Sequence, residues 1–345
     1  MIDVTTLRFG LDTFGDVTHD AQGRPKPAAQ VIRDVVEQGV LADEVGVDAI
    51  GLGEHHRDDF SISTPDVVLA AIAARTNRIL LGSAVTVLSS DDPIRVFQRF
   101  STLDALSSGR AEVTVGRGSF VESFPLFGYR LDDYEVLFEE KLSLFSALLA
   151  GGPVTWSGTT RPPLDQARVY PPVESGGLPV WVGVGGSAAS VTRAARYRLP
   201  LMIAIIGGPA DRFLPLVELY AGTLEQEGVG PLPVGVHSPG HVAETDEQAV
   251  EEFWPGYLAN VTRIGAERGW PPPSRIRFEG EVAAGSLYVG SPETVARRIA
   301  TTIATLGIDR FDLKYASGPM PHSRLMKSVE LYGTRVIPLV RDLLS

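Results

Sequence analysis

The chain has no cysteine among its 345 residues. Disulfides, thiolate catalysis and zinc sites built on cysteine are therefore excluded. Long apolar runs are missing too. None approaches the roughly 18 residues of a membrane span, and the most apolar stretch, Leu199–Ile206, is the length of one strand. Positive charge is in deficit, with 31 Lys and Arg against 42 Asp and Glu and a net charge of −11. That balance argues against a nucleic-acid or anionic-membrane partner. It still allows a local phosphate site, which needs only one or two arginines and some backbone N–H groups. The start, Met1-Ile-Asp-Val4, has neither the basic nor the apolar region of a secretory signal, so a cytoplasmic protein is expected.

What is present is an ordinary soluble balance, 44% hydrophobic and 21% charged, carried by a regular alternation of patterns. Strands are expected at Leu7–Phe14, Ala49–Leu52, Ile79–Leu88, Ala111–Val115, Pro179–Val184, Leu199–Ile206, Pro233–Ala243 and Phe311–Tyr315. Helical patterns follow each of them: Val31–Gly46, Asp66–Arg75, Pro93–Leu106, Asp132–Leu149, Ser187–Arg198, a helix opened by Gly207-Gly208-Pro209, Asp246–Arg268 with a second helix capped at Ser291, and Arg324–Leu344. Strictly alternating units argue a parallel sheet with right-handed crossovers. Eight of them argue an α/β protein closed into a (β/α)8 TIM barrel, one domain over residues 1–345. An open doubly wound sheet is the alternative, but no Gly-x-Gly-x-x-Gly follows the first strand. Gly151–Gly177 and Gly269–Gly285 read as irregular insertions, the first with a hairpin.

The chemistry is expected just beyond the C-terminal ends of the strands. Asp48-Ala-Ile-Gly-Leu-Gly-Glu-His-His-Arg57 takes a buried strand straight into four ionisable residues, which must be paired or used. One of the histidines is then a candidate general acid or base near neutral pH. A solvated loop and a metal site are the other readings, although adjacent histidines in a turn rarely converge on one ion and no ligand set is spaced to join them. At the end of the fourth strand, Gly116-Arg-Gly-Ser119 offers close backbone approach and a forked donor for phosphate, or simply a turn. Gly185-Gly-Ser187, with Ser190 one turn later, opens a helix whose free N–H groups suit an anion, and Gly207-Gly208 repeats the arrangement. Glycine also serves such turns for geometry alone.

Taken in order, these residues resemble the bacterial luciferase-like flavin-dependent monooxygenase family. The matching pieces are Leu52-Gly-Glu-His-His56, Leu81-Gly-Ser-Ala-Val-Thr-Val-Leu88 with Pro93-Ile-Arg95, Leu103-Asp104, Ser108-Gly-Arg110, Gly116-Arg-Gly118, Ser187–Pro200 and Val289-Gly-Ser-Pro-Glu293. The resemblance implies a luciferase-like barrel that takes reduced FMN and O2 to oxidise a small organic substrate, with a separate flavin reductase as supplier. It implies that Arg117, Ser187, Ser190 and the N–H groups around Gly186 hold the FMN phosphate, that Ala84 and Val85 lie against the flavin ring, and that His55 is the catalytic histidine. It also implies a non-prolyl cis peptide at Ala84–Val85, which costs about 3–4 kcal/mol and needs firm neighbours. Phe120, Phe124, Phe127 and the stretch Gly269–Gly285 are expected to roof the pocket. Related members use the deazaflavin F420, so an F420-dependent hydride-transfer enzyme is the alternative, followed by a non-catalytic flavin binder and a metal-dependent hydrolase. Two positions depart from luciferase itself. Gly116 stands in place of a reactive cysteine, and Glu135 stands where a further phosphate-binding arginine would be. Family members pair through helices beside strands two and three. Apolar Ile94, Val96, Phe97, Phe100 and Leu103 on Pro93–Leu106 therefore suggest a homodimer.

Overall fold

The structure, a computed structural model, describes residues 3–20 and 22–345. Its strands are β1 (Arg8–Thr13), β2 (Ala49–Leu52), β3 (Leu80–Ser83), β4 (Thr86–Val87), β5 (Val113–Gly116), β6 (Val154–Trp156), β7 (Leu164–Ala167), β8 (Val180–Val184), β9 (Leu201–Ala204), β10 (Val234–Val242), β11 (Tyr288–Gly290) and β12 (Arg310–Lys314). The main sheet runs β3-β2-β1-β12-β10-β9-β8-β5-β4, every pairing parallel. β3 and β4 are two halves of one strand, split at Ala84–Val85, where the peptide bond is cis as expected. Because β3 and β4 belong together, and Leu81 also bridges to Ala111 beside β5, the row of strands closes into the (β/α)8 barrel.

Period-two alternation decides what faces where. On β1 and β12, Phe9, Leu11, Phe311 and Leu313 are buried at 0–1% exposure and belong to the hydrophobic cluster shared with the helices. Their alternates, Gly10, Asp12, Arg310, Asp312 and Lys314, turn to the barrel axis, where register sets Gly10 beside Asp312 and Asp12 beside Lys314. A Cβ on Gly10 would come within 2.1 Å of the Asp312 carboxylate. The inside of the barrel thus trades aliphatic bulk for charge, and small residues leave the room.

Four features differ from the sequence reading. The third strand is not continuous, being interrupted at Ala84–Val85. Gly269–Gly285 is not irregular throughout: it contains a helix, Arg275–Ala284, whose Ser274 hydroxyl accepts from Arg277 N–H at 3.2 Å, a cap masked in sequence by the preceding prolines. β11 adds to β10 beyond the ring, because β10 is long enough to pair with β9 and β12 first and with β11 at Gly240–Val242. The last helix, read as one piece, runs as His322–Leu331, a π turn at Tyr332–Val336 and Ile337–Leu344. The irregularity falls where Gly333 abuts Val45, a Cβ there being 2.6 Å from the Val45 carbonyl. The hairpin expected within Gly151–Gly177 is β6–β7, antiparallel. Its Thr159 and Thr160 donate N–H and O–H groups to Glu140, whose carboxyl is held down at about 2 by those bonds against the opposing effect of burial.

Candidate active site

The C-terminal ends of the strands enclose a cavity of about 760 Å3. Its first wall comes from the turn after β2. That strand is wholly buried, so the ionisable run leaving it emerges at the barrel mouth. Three of the four side chains are paired. Glu54 accepts from Val87 N–H at 2.8 Å and lies 2.9 Å from His56 Nε2. Arg57 reaches Asp59 at 3.0 Å, Glu267 at 2.8 Å and Glu122, and lies 4.5 Å over the Phe120 ring. The fourth, His55, packs among Phe14, Phe60 and Phe120 at centroid distances of 4.5, 4.4 and 5.3 Å. Burial pushes its pKa down to about 3, with the charges of Lys314, His56 and Arg57 adding. His55 is thus a neutral imidazole at physiological pH. It can accept or donate a hydrogen bond, but it does not titrate near neutrality as the sequence alone suggests.

The second wall is the split strand. Glu54 N–H donates to Val85 O at 3.1 Å, and Ala84 N–H donates to Leu52 O at 2.8 Å. The Val85 side chain occupies space left by two glycines, since a Cβ on Gly116 or Gly183 would stand 2.7 or 2.8 Å from it. Gly116, where luciferase carries cysteine, is here the seat of a branched residue.

The third wall joins the turns after β5 and β8. Gly118 adopts φ +78°, and Tyr134 Oη donates to its carbonyl at 3.1 Å, which holds the Gly-Arg-Gly loop. Arg117 lies 5.0 Å over the Tyr134 ring and pairs with Glu135. Ser187 opens helix Ala188–Arg196, yet its hydroxyl makes no bond to that helix. Gly186 has φ +113°, and a Cβ there would meet nothing within 4 Å. Arg193, which sequence reasoning missed, reaches Glu135 and Glu139 at 3.0 and 2.6 Å while its Nη1 is buried without a partner.

The cavity brings together His55, Ala84, Val85, Arg117 and Ser190 from four separate segments. Gly186 and Ser187 lie in the same Gly185–Ser190 turn but not on the lining. Of the three rings expected in the roof, Phe120 alone lines the cavity. Phe124 is 1% exposed and packs on Tyr134 at 5.5 Å, and Phe127 is 49% exposed, edge-on to His56. Trp270, Pro271, Pro273 and Arg277 do come from Gly269–Gly285, and helix Asp246–Arg268 adds Tyr257, Val261 and Ile264. Arg268 ties that helix to the β5 loop by donating to Ser119 O at 3.0 Å.

The floor was not anticipated. Arg310 is 2.7 Å from Glu112 and 2.8 Å from Asp312, all buried. Lys314 is 3.2 Å from Asp16. His237 Nδ1 is 2.6 Å from Asp12 Oδ2. Burial pushes Asp312 up to about 6 against the pull of Arg310, with Asp12 and Glu112 adding to the rise. Burial also raises Asp16 despite Lys314. The signal available in sequence was Arg310-Phe-Asp-Leu-Lys314, a strand whose every second residue is charged.

Residues 12–310 match the family model described as luciferase-like monooxygenase. Among curated proteins, 4-hydroxyprotoasukamycin monooxygenase of Streptomyces nodosus subsp. asukaensis is 28% identical, over 76% of this chain and 72% of that one. Among solved structures, monooxygenase RslO1 from Streptomyces bottropensis superposes with a TM-score of 0.82 at 23% identity, covering 96% and 99% of the two chains. The oxygenating constituent of 3,6-diketocamphane monooxygenase from Pseudomonas putida, solved with FMN, gives 0.78 at 18% identity, over 96% and 98%. An F420-dependent secondary alcohol dehydrogenase gives 0.75 at 18% identity, over 97% and 99%. At these identities the likeness to the solved structures is one of fold.

Proposed function

The chain belongs to the luciferase-like monooxygenase family of enzymes, and from that premise we propose that it uses reduced FMN and O2 to oxidise a small, largely apolar organic substrate. The observation that carries the reading is the convergence of His55, Ala84, Val85, Arg117 and Ser190 on one cavity. The residues suit a phosphate at its rim. The uncommitted Ser187 hydroxyl and the open space above Gly186 lie at one helix N-terminus, and the unpartnered Arg193 Nη1 belongs to the same helix. Arg117 and Ser187, with Ser190 and the N–H groups around Gly186, would bind the phosphate there, Arg117 turning from Glu135 to do so. Ala84 and Val85 would bear on the flavin ring. When bound, the flavin supplies the activation of oxygen. The protein would supply position and apolar walls that keep water from the reacting atoms. Neutral His55 would offer its ring nitrogens to the substrate or to the proton of the oxygen being transferred.

A separate reductase would supply the reduced flavin. Homodimer formation belongs to the same proposal, on altered grounds. Val96, Phe97, Phe100 and Leu103 are buried within one chain at 0–6% exposure. Ile94 is partly buried, and the large apolar residues most exposed on the two flanking helices are Val67 and Leu106, at 63% and 62%. Light scattering at micromolar concentration should show a dimer; a monomer would remove that part.

Anaerobic titration tests the cofactor. Reduced FMN should bind saturably and F420 weakly. The reverse order would replace the monooxygenase reading with F420-dependent hydride transfer.

A further inference from the structure

We propose that His237 and Asp12 form a proton-accepting pair that takes the hydroxyl proton of a phenol, which makes the substrate of this cavity a phenol. His237 sits on β10, in register with Asp312 of β12 and Ala204 of β9, and its ring faces the cavity. Nδ1 lies 2.6 Å from Asp12 Oδ2. The Asp12 side chain is 0% exposed and the His237 side chain 12%. A buried carboxylate holds the imidazole as the Nδ1–H tautomer, which leaves the Nε2 lone pair available for a proton. No described residue hydrogen-bonds Nε2. The neighbouring Phe14 ring lies 6.2 Å away and within 14° of parallel, which fixes the orientation further.

The other buried carboxylates nearby have cations as partners. Arg310 serves Glu112 and Asp312, and Lys314 serves Asp16. Asp12 is the buried carboxylate of this floor with no arginine or lysine of its own, and its Oδ1 is buried without a partner. The His237 ring is the partner of this carboxylate, through Nδ1 at 2.6 Å.

The lining then selects the acid. Phe14, Phe60, Phe120, Trp270, Val261 and Ile264 give apolar walls to the cavity that His237 faces. A carboxylic acid is already ionised at neutral pH and would meet Asp12 and Asp312. An aliphatic alcohol is too weak an acid to yield its proton to imidazole. A phenol lies between them and matches the walls. In the step, the phenol O–H bond breaks, an N–H bond forms at Nε2, and the electron pair stays on the phenol oxygen; nothing is oxidised or reduced. The electron-rich phenolate is the form that oxygen transfer consumes, and this last clause alone rests on the monooxygenase reading.

The test needs no cofactor. 4-Nitrophenol is added to the flavin-free protein in weak buffer below the phenol's own pKa. The yellow phenolate band should grow with binding, and no proton should appear in solution. His237→Asn should abolish the band and Asp12→Asn should diminish it. FMN titration of each variant reports that the cavity is folded. Absence of binding, binding without the band, a band indifferent to His237→Asn, or one proton released per molecule bound would each overturn the proposal. The proton measurement on the unaltered protein stands even if a variant fails to fold. Failure here with FMN binding intact would leave the flavin reading in place.

Discussion

His55 and His237 both neighbour Phe14 and face the same cavity, yet the structure treats them oppositely. His55 leaves a strand in a loop, is wrapped by three aromatic rings and has no carboxylate partner. Burial and neighbouring positive charge keep it neutral. His237 lies within a strand, and a buried aspartate orients it. One end of the pocket is therefore an apolar wall with a neutral polar edge, and the other a charged floor that must balance its own protons. The sequence advertises the first, because four ionisable residues in a row attract notice. It conceals the second, because Asp12, His237 and Asp312 come from three strands and meet only once the barrel closes.

The largest expected effect separates the floor from the rim. Arg310→Met should cost on the order of 3–5 kcal/mol, since Glu112 and Asp312 lose their buried cation. Arg117→Met, whose partner Glu135 is 63% exposed, should cost about 0–1 kcal/mol. Urea unfolding of the two variants measures both, and equal losses would erase the distinction.

Next comes the wall between the two ends. Gly116→Ala puts a Cβ 2.7 Å from the Val85 side chain, an overpacking of about 1–3 kcal/mol. Adding Val85→Ala should recover most of that loss in the same unfolding experiment. Additive losses would mean that the two residues do not compete for space.

The third effect is a slope. The His55 pKa falls from its ordinary 6.5 to about 3 on folding, so its stabilisation is present above 6.5 and is lost as pH falls towards 3. Asp312 rises from 3.8 to about 6, so its contribution is present below 3.8 and is lost as pH rises through about 6. Melting temperatures between about pH 4 and 7 should therefore decline less on acidification in His55→Asn and more in Asp312→Asn. Parallel profiles in all three proteins would contradict the assigned environments.

Much of the fold was legible because helix and strand periods differ and because each barrel strand carries its own apolar run. The turns at Glu54–Arg57, Gly116–Ser119 and Gly185–Ser190 were legible for the same local reason. The Arg275–Ala284 helix was obscured by Pro271-Pro-Pro273, and β11 because three residues carry no period. Phe120 and the Gly269–Gly285 stretch do line the pocket, but Phe124 and Phe127 were misassigned to its roof, because the aromatic content of Phe120–Phe127 says nothing about which ring turns inward. Phe124 is spent on packing against Tyr134. The charged floor needed register, which only pairing across the barrel supplies.

The flavin assignment is tested most directly by the fluorescence of FMN titrated with the unaltered protein and with Arg117→Ala. Saturable quenching by the former is expected. Binding by the latter should be weaker roughly ten- to a hundredfold, the equivalent of about 1.5–3 kcal/mol for a lost charged hydrogen bond. No quenching, or one dissociation constant for both proteins, would contradict it.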